Sequence, residues 1–116
     1  HLFVAAGIGI TPVVSHLRSA RRWGRETRVL YIHRDGRGAY VEEVKALADD
    51  PSIFTERSTF CAELEAALAA QPFGTHLYVC GPTGFMDDVT TLATELGWPA
   101  SRIHVERFGI DTLDAG

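Results

Sequence analysis

Apolar residues in this chain fall into short runs that alternate with longer, one-sided stretches, the signature of strands alternating with helices. Leu2 to Ala6 is a short apolar run closed by Gly7, which reads as a buried strand. Pro12 to about Trp23 follows with Val13, Val14, Leu17 and Ala20 on one face and Arg18, Arg21 and Arg22 off it, a helix. Arg28 to His33 is the second strand. Ala39 to Ala48 is the second helix, with Val41, Val44, Leu47 and Ala48 inward, and Asp50-Pro51 is expected to stop it. Ser52 to Glu56 gives a weaker third strand, Cys61 to Ala70 a helix facing inward through Leu64, Ala67 and Leu68, and His76 to Cys80 the fourth strand. Phe85 to Leu96 is a helix ended by Gly97 and Pro99, and Arg102 to Phe108 is the fifth strand. Gly109 to Gly116 reads as a tail or linker.

Strands separated by helices connect by right-handed crossovers, which predicts an α/β fold with helices on both faces of a five-stranded parallel sheet. The expected strand order is 3-2-1-4-5, a Rossmann-like arrangement. It sets the ends of strands 1 and 4 side by side at the topological switch point, where such sheets bind ligands.

Composition narrows the picture. At 116 residues and 46% hydrophobic, the chain supports one domain with a genuine core. A formal charge of -4 leaves no basic surplus for phosphate neutralisation, which argues against a nucleic-acid partner. Every cation except Lys45 and the histidines is Arg, a bias given no mechanistic weight. Cys61 and Cys80 are too few for a disulfide framework and lack metal-ligand spacing, so a reduced, cytoplasmic chain is expected. No apolar run approaches the roughly 18 residues of a membrane span, and no signal-peptide layout opens the chain. The chain starts inside a strand, which predicts that it is cut from something longer.

The two loops at the switch point are the least ordinary in the sequence. Gly7-Ile8-Gly9-Ile10-Thr11-Pro12 has the form G-x-G-x-x-P. Gly7 can take a tight turn, Gly9 presents no Cβ to an approaching ligand, Thr11 suits an N-cap and Pro12 the first helical position. The helix start would then offer free N–H groups and partial positive charge to a pyrophosphate. The same glycines could serve only to build the turn, and Pro in place of a third Gly departs from the generic dinucleotide fingerprint. After strand 4, Cys80-Gly81-Pro82-Thr83-Gly84-Phe85-Met86 makes a sharp turn into a helix. Asp87 and Asp88, expected in that helix's first turn, disfavour a phosphate there and leave room for a nicotinamide. Cys80 is either a small buried hydrophobe or a neighbour of the ligand; a nucleophilic thiol needs a base, and His76 lies at the wrong end of the strand.

G-I-G-I-T-P at 7–12, Y-V-C-G-P-T-G-F-M at 78–86 and H-V-E-R-F at 104–108 together resemble the ferredoxin–NADP reductase superfamily. Within it the chain is most similar to the oxygenase-reductase branch of phthalate dioxygenase reductase and vanillate demethylase reductase. The resemblance implies an NAD(P)H-binding domain over residues 1–108, which presents its nicotinamide to FMN or FAD held by a separate barrel. Hydride passes to the flavin, and electrons go on to an iron–sulfur protein or oxygenase, often through a [2Fe–2S] ferredoxin domain. By motif, Gly7, Gly9, Thr11 and Pro12 would hold the pyrophosphate. Cys80, Gly81 and Pro82 would flank the nicotinamide, with Phe85 and Met86 nearby. Glu106 and Phe108 would form the acidic–aromatic pair at the flavin–nicotinamide contact, and Cys80 and Glu106 the reacting-centre residues. Arg34 could touch the cofactor's phosphates or ribose, or be a solvated loop residue. Arg57 and Ser58 would suit a 2′-phosphate while Glu56 would suit a free 2′-hydroxyl, so NADH is preferred with NADPH open. No flavin barrel and no iron–sulfur cysteine set lie within these residues. The competing reading is a non-catalytic nucleotide-binding module that keeps the fold.

Overall fold

The computed structural model describes residues 1–34, 36, 38–70 and 74–106. The chain runs β1 (Leu2–Ala6), a 3₁₀ turn (Gly7–Gly9), α1 (Ile10–Arg22), β2 (Arg28–Ile32), α2 (Val41–Leu47) and β3 (Asp50–Phe54). It continues through α3 (Arg57–Ala70), β4 (Leu77–Cys80), α4 (Thr83–Glu95), a second 3₁₀ turn (Ala100–Arg102) and β5 (Ile103–Glu106). The sheet is five-stranded and parallel in the order β3-β2-β1-β4-β5, as the alternating pattern predicts.

Alternation along β1 divides the core between the two faces of the sheet. Leu2 and Val4 point to one side, where Phe60, Leu64 and Leu68 of α3 and Met86, Val89 and Ala93 of α4 cover them. Phe3 and Ala5 point to the other, beneath Val13, Val14 and Leu17 of α1 and Val44 of α2. The inward faces read from helical spacing are buried in α1 and α3, with Phe60 added by a helix that starts earlier than expected, while in α2 Val41 and Leu47 are only partly buried beside Val44.

Several boundaries differ from the sequence expectation. Asp50-Pro51 does not merely stop α2; these are the first residues of β3. Proline is tolerated because β3 is an edge strand, where a missing donor breaks no ladder. α3 begins at Arg57 rather than Cys61, and α4 at Thr83 rather than Phe85. The earlier start of α4 leaves no acidic residue in its first turn, so Asp87 and Asp88 do not guard it as expected. β5 is described as far as Glu106; Phe108 and the expected tail at Gly109 to Gly116 lie outside the described residues. Among the described residues no helix is long and apolar enough to cross a membrane.

Candidate functional site

Two loops meet at the carboxyl edge of the sheet, where Ala5 of β1 is in register with Cys80 of β4. The first leaves β1 through Gly7, whose φ of 57° is the left-handed conformation that favours glycine. Space is open around Gly7: a Cβ built there would meet nothing within 4 Å. Gly9 is different. A Cβ there would lie 2.4 Å from the Cys80 carbonyl oxygen and 2.7 Å from the Gly81 nitrogen. Its missing side chain lets the two loops touch backbone to backbone, so the neighbour it accommodates is protein and not an incoming ligand.

Gly9 also occupies the N-cap of α1 and supplies no side-chain cap. Thr11 is not the cap that its type suggests; it lies one residue inside the helix and is exposed. Pro12 sits at the third helical position rather than the first. Its missing N–H is still harmless, since the first four helical N–H groups lack an intrahelical acceptor. No acidic residue occupies this first turn. The Ile10 N–H is taken by the Gly7 and Ile8 carbonyls, so the start of α1 offers chiefly partial positive charge, without a side-chain cap, beside open space at Gly7. That chemistry fits a pyrophosphate.

On the second loop, a Cβ at Gly81 would stand 2.8 Å from the Phe85 ring, so Phe85 packs directly onto the turn. Pro82 is the N-cap of α4, and its carbonyl accepts from the Met86 N–H at 3.0 Å. Met86 is not brought to the edge: it is 1% exposed and belongs to the core beneath α3 and α4.

Cys80 is 1% exposed. Burial, with a smaller contribution from the Glu106 carboxylate, pushes its thiol up to about 12. Such a thiol stays protonated at neutral pH, which removes it as a nucleophile and leaves an apolar wall. Glu106 is in register with Cys80 across β4 and β5 and emerges on the α1 side of the sheet. Its Oε1 lies 3.3 Å from His16 Nε2, and His16, Tyr78, Cys80 and Glu106 line a small cavity of about 110 Å³. His16 carried no weight in the sequence reading. Its only signal is a place on the flank of the inward stripe of α1, and contact with β5 depends on a register that helical spacing does not disclose. His76, just ahead of β4, is the partner of His104 at 2.9 Å, at the opposite end of the strand from Cys80 as expected.

Arg34 is exposed just past β2, and Arg57 and Ser58 are exposed in the first turn of α3, just past β3. All three therefore stand at the same carboxyl edge as the glycine loop. Arg57 reaches Asp88 at 3.7 Å, with both side chains largely in solvent. Phe108 lies outside the described residues.

Similar proteins agree with this architecture. The vanillate O-demethylase oxidoreductase of Pseudomonas sp. (strain HR199 / DSM 7063) is 39% identical over 92% of this chain and 35% of its own length. The heme-dependent oxidative N-demethylase beta subunit of Ectopseudomonas mendocina (strain ymp) is 33% identical, over 93% of this chain and 35% of the relative. Phthalate dioxygenase reductase of Burkholderia cepacia is 33% identical over 98% and 37%, respectively. The chain thus spans about a third of the length of the curated relatives it matches. Among solved structures, a type IV self-sufficient cytochrome P450 monooxygenase shares the fold with a TM-score of 0.77 at 24% identity, over 91% of this chain and 14% of that one. The flavohem-like FAD/NAD binding domain of the Vibrio cholerae O1 biovar El Tor nitric oxide dioxygenase does so with a TM-score of 0.70 at 24% identity, over 92% and 50%. Residues 1–103 match the family described as dimethylamine monooxygenase subunit DmmA-like, N-terminal domain, and the chain belongs to that family.

Proposed function

We propose that this chain is the NAD(P)H-binding domain of a flavin-dependent reductase that supplies electrons to an oxygenase or an iron–sulfur protein. The observation that carries this reading is the backbone contact of Gly9 with Cys80 and Gly81. It joins an uncapped, acid-free helix start to a thiol-lined turn at one sheet edge, matching the two ends of a dinucleotide. The open turn at Gly7 and the start of α1 hold the pyrophosphate. Cys80, Gly81 and Pro82 form the wall against which the nicotinamide rests, and Glu106 supplies the carboxylate beside it. When bound, the nicotinamide supplies the hydride that a flavin accepts; the protein contributes alignment and a dry surface.

The flavin, FMN or FAD, belongs on this reading to a barrel domain beyond these residues, and any [2Fe–2S] group to a ferredoxin domain. The names of the relatives, a dioxygenase reductase and a monooxygenase's ferredoxin reductase component among them, support the electron-supplying role. Arg34, Arg57 and Ser58, at the adenosine side of the edge, choose between NADH and NADPH, with NADH preferred. Phe108, outside the described residues, is assigned to the flavin side by its sequence motif alone. The free thiols of Cys61 and Cys80 support a reducing, cytoplasmic setting.

The test uses the purified chain with NADH and a dye acceptor. We expect saturable binding of NADH and of ADP-ribose, and no sustained dye reduction without a flavin domain. Failure to bind either nucleotide overturns the reading, and sustained turnover by the chain alone overturns the requirement for the barrel.

A further inference from the structure

We propose that His16 is a positioning residue for the nicotinamide end of the site, acting by holding the Glu106 carboxylate beside Cys80. This inference rests on the function proposed above. β5 is an edge strand, and Glu106 at its end is 47% exposed, so strand pairing fixes its backbone but not its carboxylate. Among the described residues, the side chain that meets this carboxylate is His16, at 3.3 Å. A carboxylate only accepts, so the imidazole donates from Nε2. The imidazole is itself held in place: its ring packs against Phe3 and Tyr78, with centroids 5.9 and 5.8 Å apart.

His16 lies on α1, six residues after Ile10, which is about 9 Å along a helix. One rigid element thereby presents its positive end to the pyrophosphate and anchors the nicotinamide-side carboxylate less than two turns later. The cavity between His16, Tyr78, Cys80 and Glu106 opens where that carboxylate is held. A side-chain contact this exposed contributes little to folding, so its loss is readable at the site without loss of the protein.

The experiment titrates NADH and ADP-ribose into the full chain and its variants and records nuclear Overhauser contacts from the nicotinamide ring to Cys80. His16→Phe keeps a ring against Phe3 and Tyr78 but removes the donor; His16→Gln keeps a donor. We expect the contact to survive in wild type and His16→Gln and to be lost in His16→Phe. The NADH dissociation constant should rise about three- to five-fold in His16→Phe, in line with the loss of one exposed hydrogen bond, while ADP-ribose binding stays unchanged. Glu106→Ala, which removes the acceptor, should match His16→Phe, and the double variant should add nothing further. Unaltered contacts in His16→Phe, equal weakening of ADP-ribose, or a His16→Gln variant that fails like His16→Phe would each overturn the proposal while leaving the functional reading intact. A wild-type chain that binds ADP-ribose but shows no nicotinamide contact at Cys80 overturns the nicotinamide site itself.

Discussion

Gly7 and Gly9 stand two residues apart and are constrained by opposite means. Gly7 is required by its dihedral angle, in open space; Gly9 by the carbonyl of Cys80, at an ordinary φ. Gly7→Ala should therefore cost about 1–2 kcal/mol of backbone strain with the rest of the fold unmoved. Gly9→Ala forces two backbones apart and should cost about 1–3 kcal/mol, together with most of the nucleotide affinity. Urea unfolding and ADP-ribose titration of both variants check the contrast; a Gly9→Ala variant as stable and as tight-binding as wild type would refute the contact. Cys80 gives a second prediction. Its thiol is raised in the folded chain, so the stability it contributes is present below the ordinary value of 9 and is lost as pH climbs toward about 12. Denaturant midpoints measured from pH 8 to 11 should fall less steeply in Cys80→Ala than in wild type. The glycine pair and the thiol were legible in the sequence because residue type carried the signal. The purpose of Gly9 and the presence of His16 were not, since both depend on which strand end lies opposite.

At the scale of elements, α1 is the helix whose start matters, and its capping departs from what the sequence suggests. Thr11 is a good cap by type, yet Gly9 takes that position because the 3₁₀ turn at Gly7–Gly9 winds directly into the helix. The Gly7 and Ile8 carbonyls of that turn take the Ile10 N–H and Pro12 has none, so what this start keeps for an anion is chiefly its partial positive charge, with no side chain capping it. A carboxylate introduced there should separate stability from binding. Thr11→Glu should stabilise the helix by about 0.3–1 kcal/mol through its dipole. The same charge should weaken ADP-ribose binding several-fold by repulsion. Thermal unfolding and calorimetric titration measure the two effects, and a variant whose affinity is unchanged would place the phosphates elsewhere. Boundaries were less legible than the elements themselves. Pro51 reads locally as a breaker, and only its edge position makes it a strand residue. Arg57 to Phe60 carries no apolar repeat of its own beyond Phe60, so the first turn of α3 is set by packing against the sheet.

For the molecule as a whole, right-handed crossovers fix the hand of each βα unit, and a single reversal of direction, here between β1 and β4, makes the sheet open with helices on both faces. The reversal also places α1 and α2 on one face and α3 and α4 on the other, so the two core clusters never touch except through the sheet. β1 is the element they share most directly, since Leu2 and Val4 belong to one cluster while Phe3 and Ala5 belong to the other. A strand cannot keep one face packed while losing its ladder, so the faces should unfold together. Met86→Ala beneath α4 and Leu17→Ala beneath α1 should each cost about 2–5 kcal/mol. Each should lower hydrogen-exchange protection of the slowest amides equally in β1, β2 and β4, whichever face was cut. Saturating ADP-ribose should raise protection on both faces by the same amount, because a ligand that binds only the folded chain stabilises every unit that unfolds with it. If Met86→Ala loosened only the α4 face, leaving Val29 and Tyr31 protected, the sheet would not couple the clusters, and the switch point would join two independently folding halves.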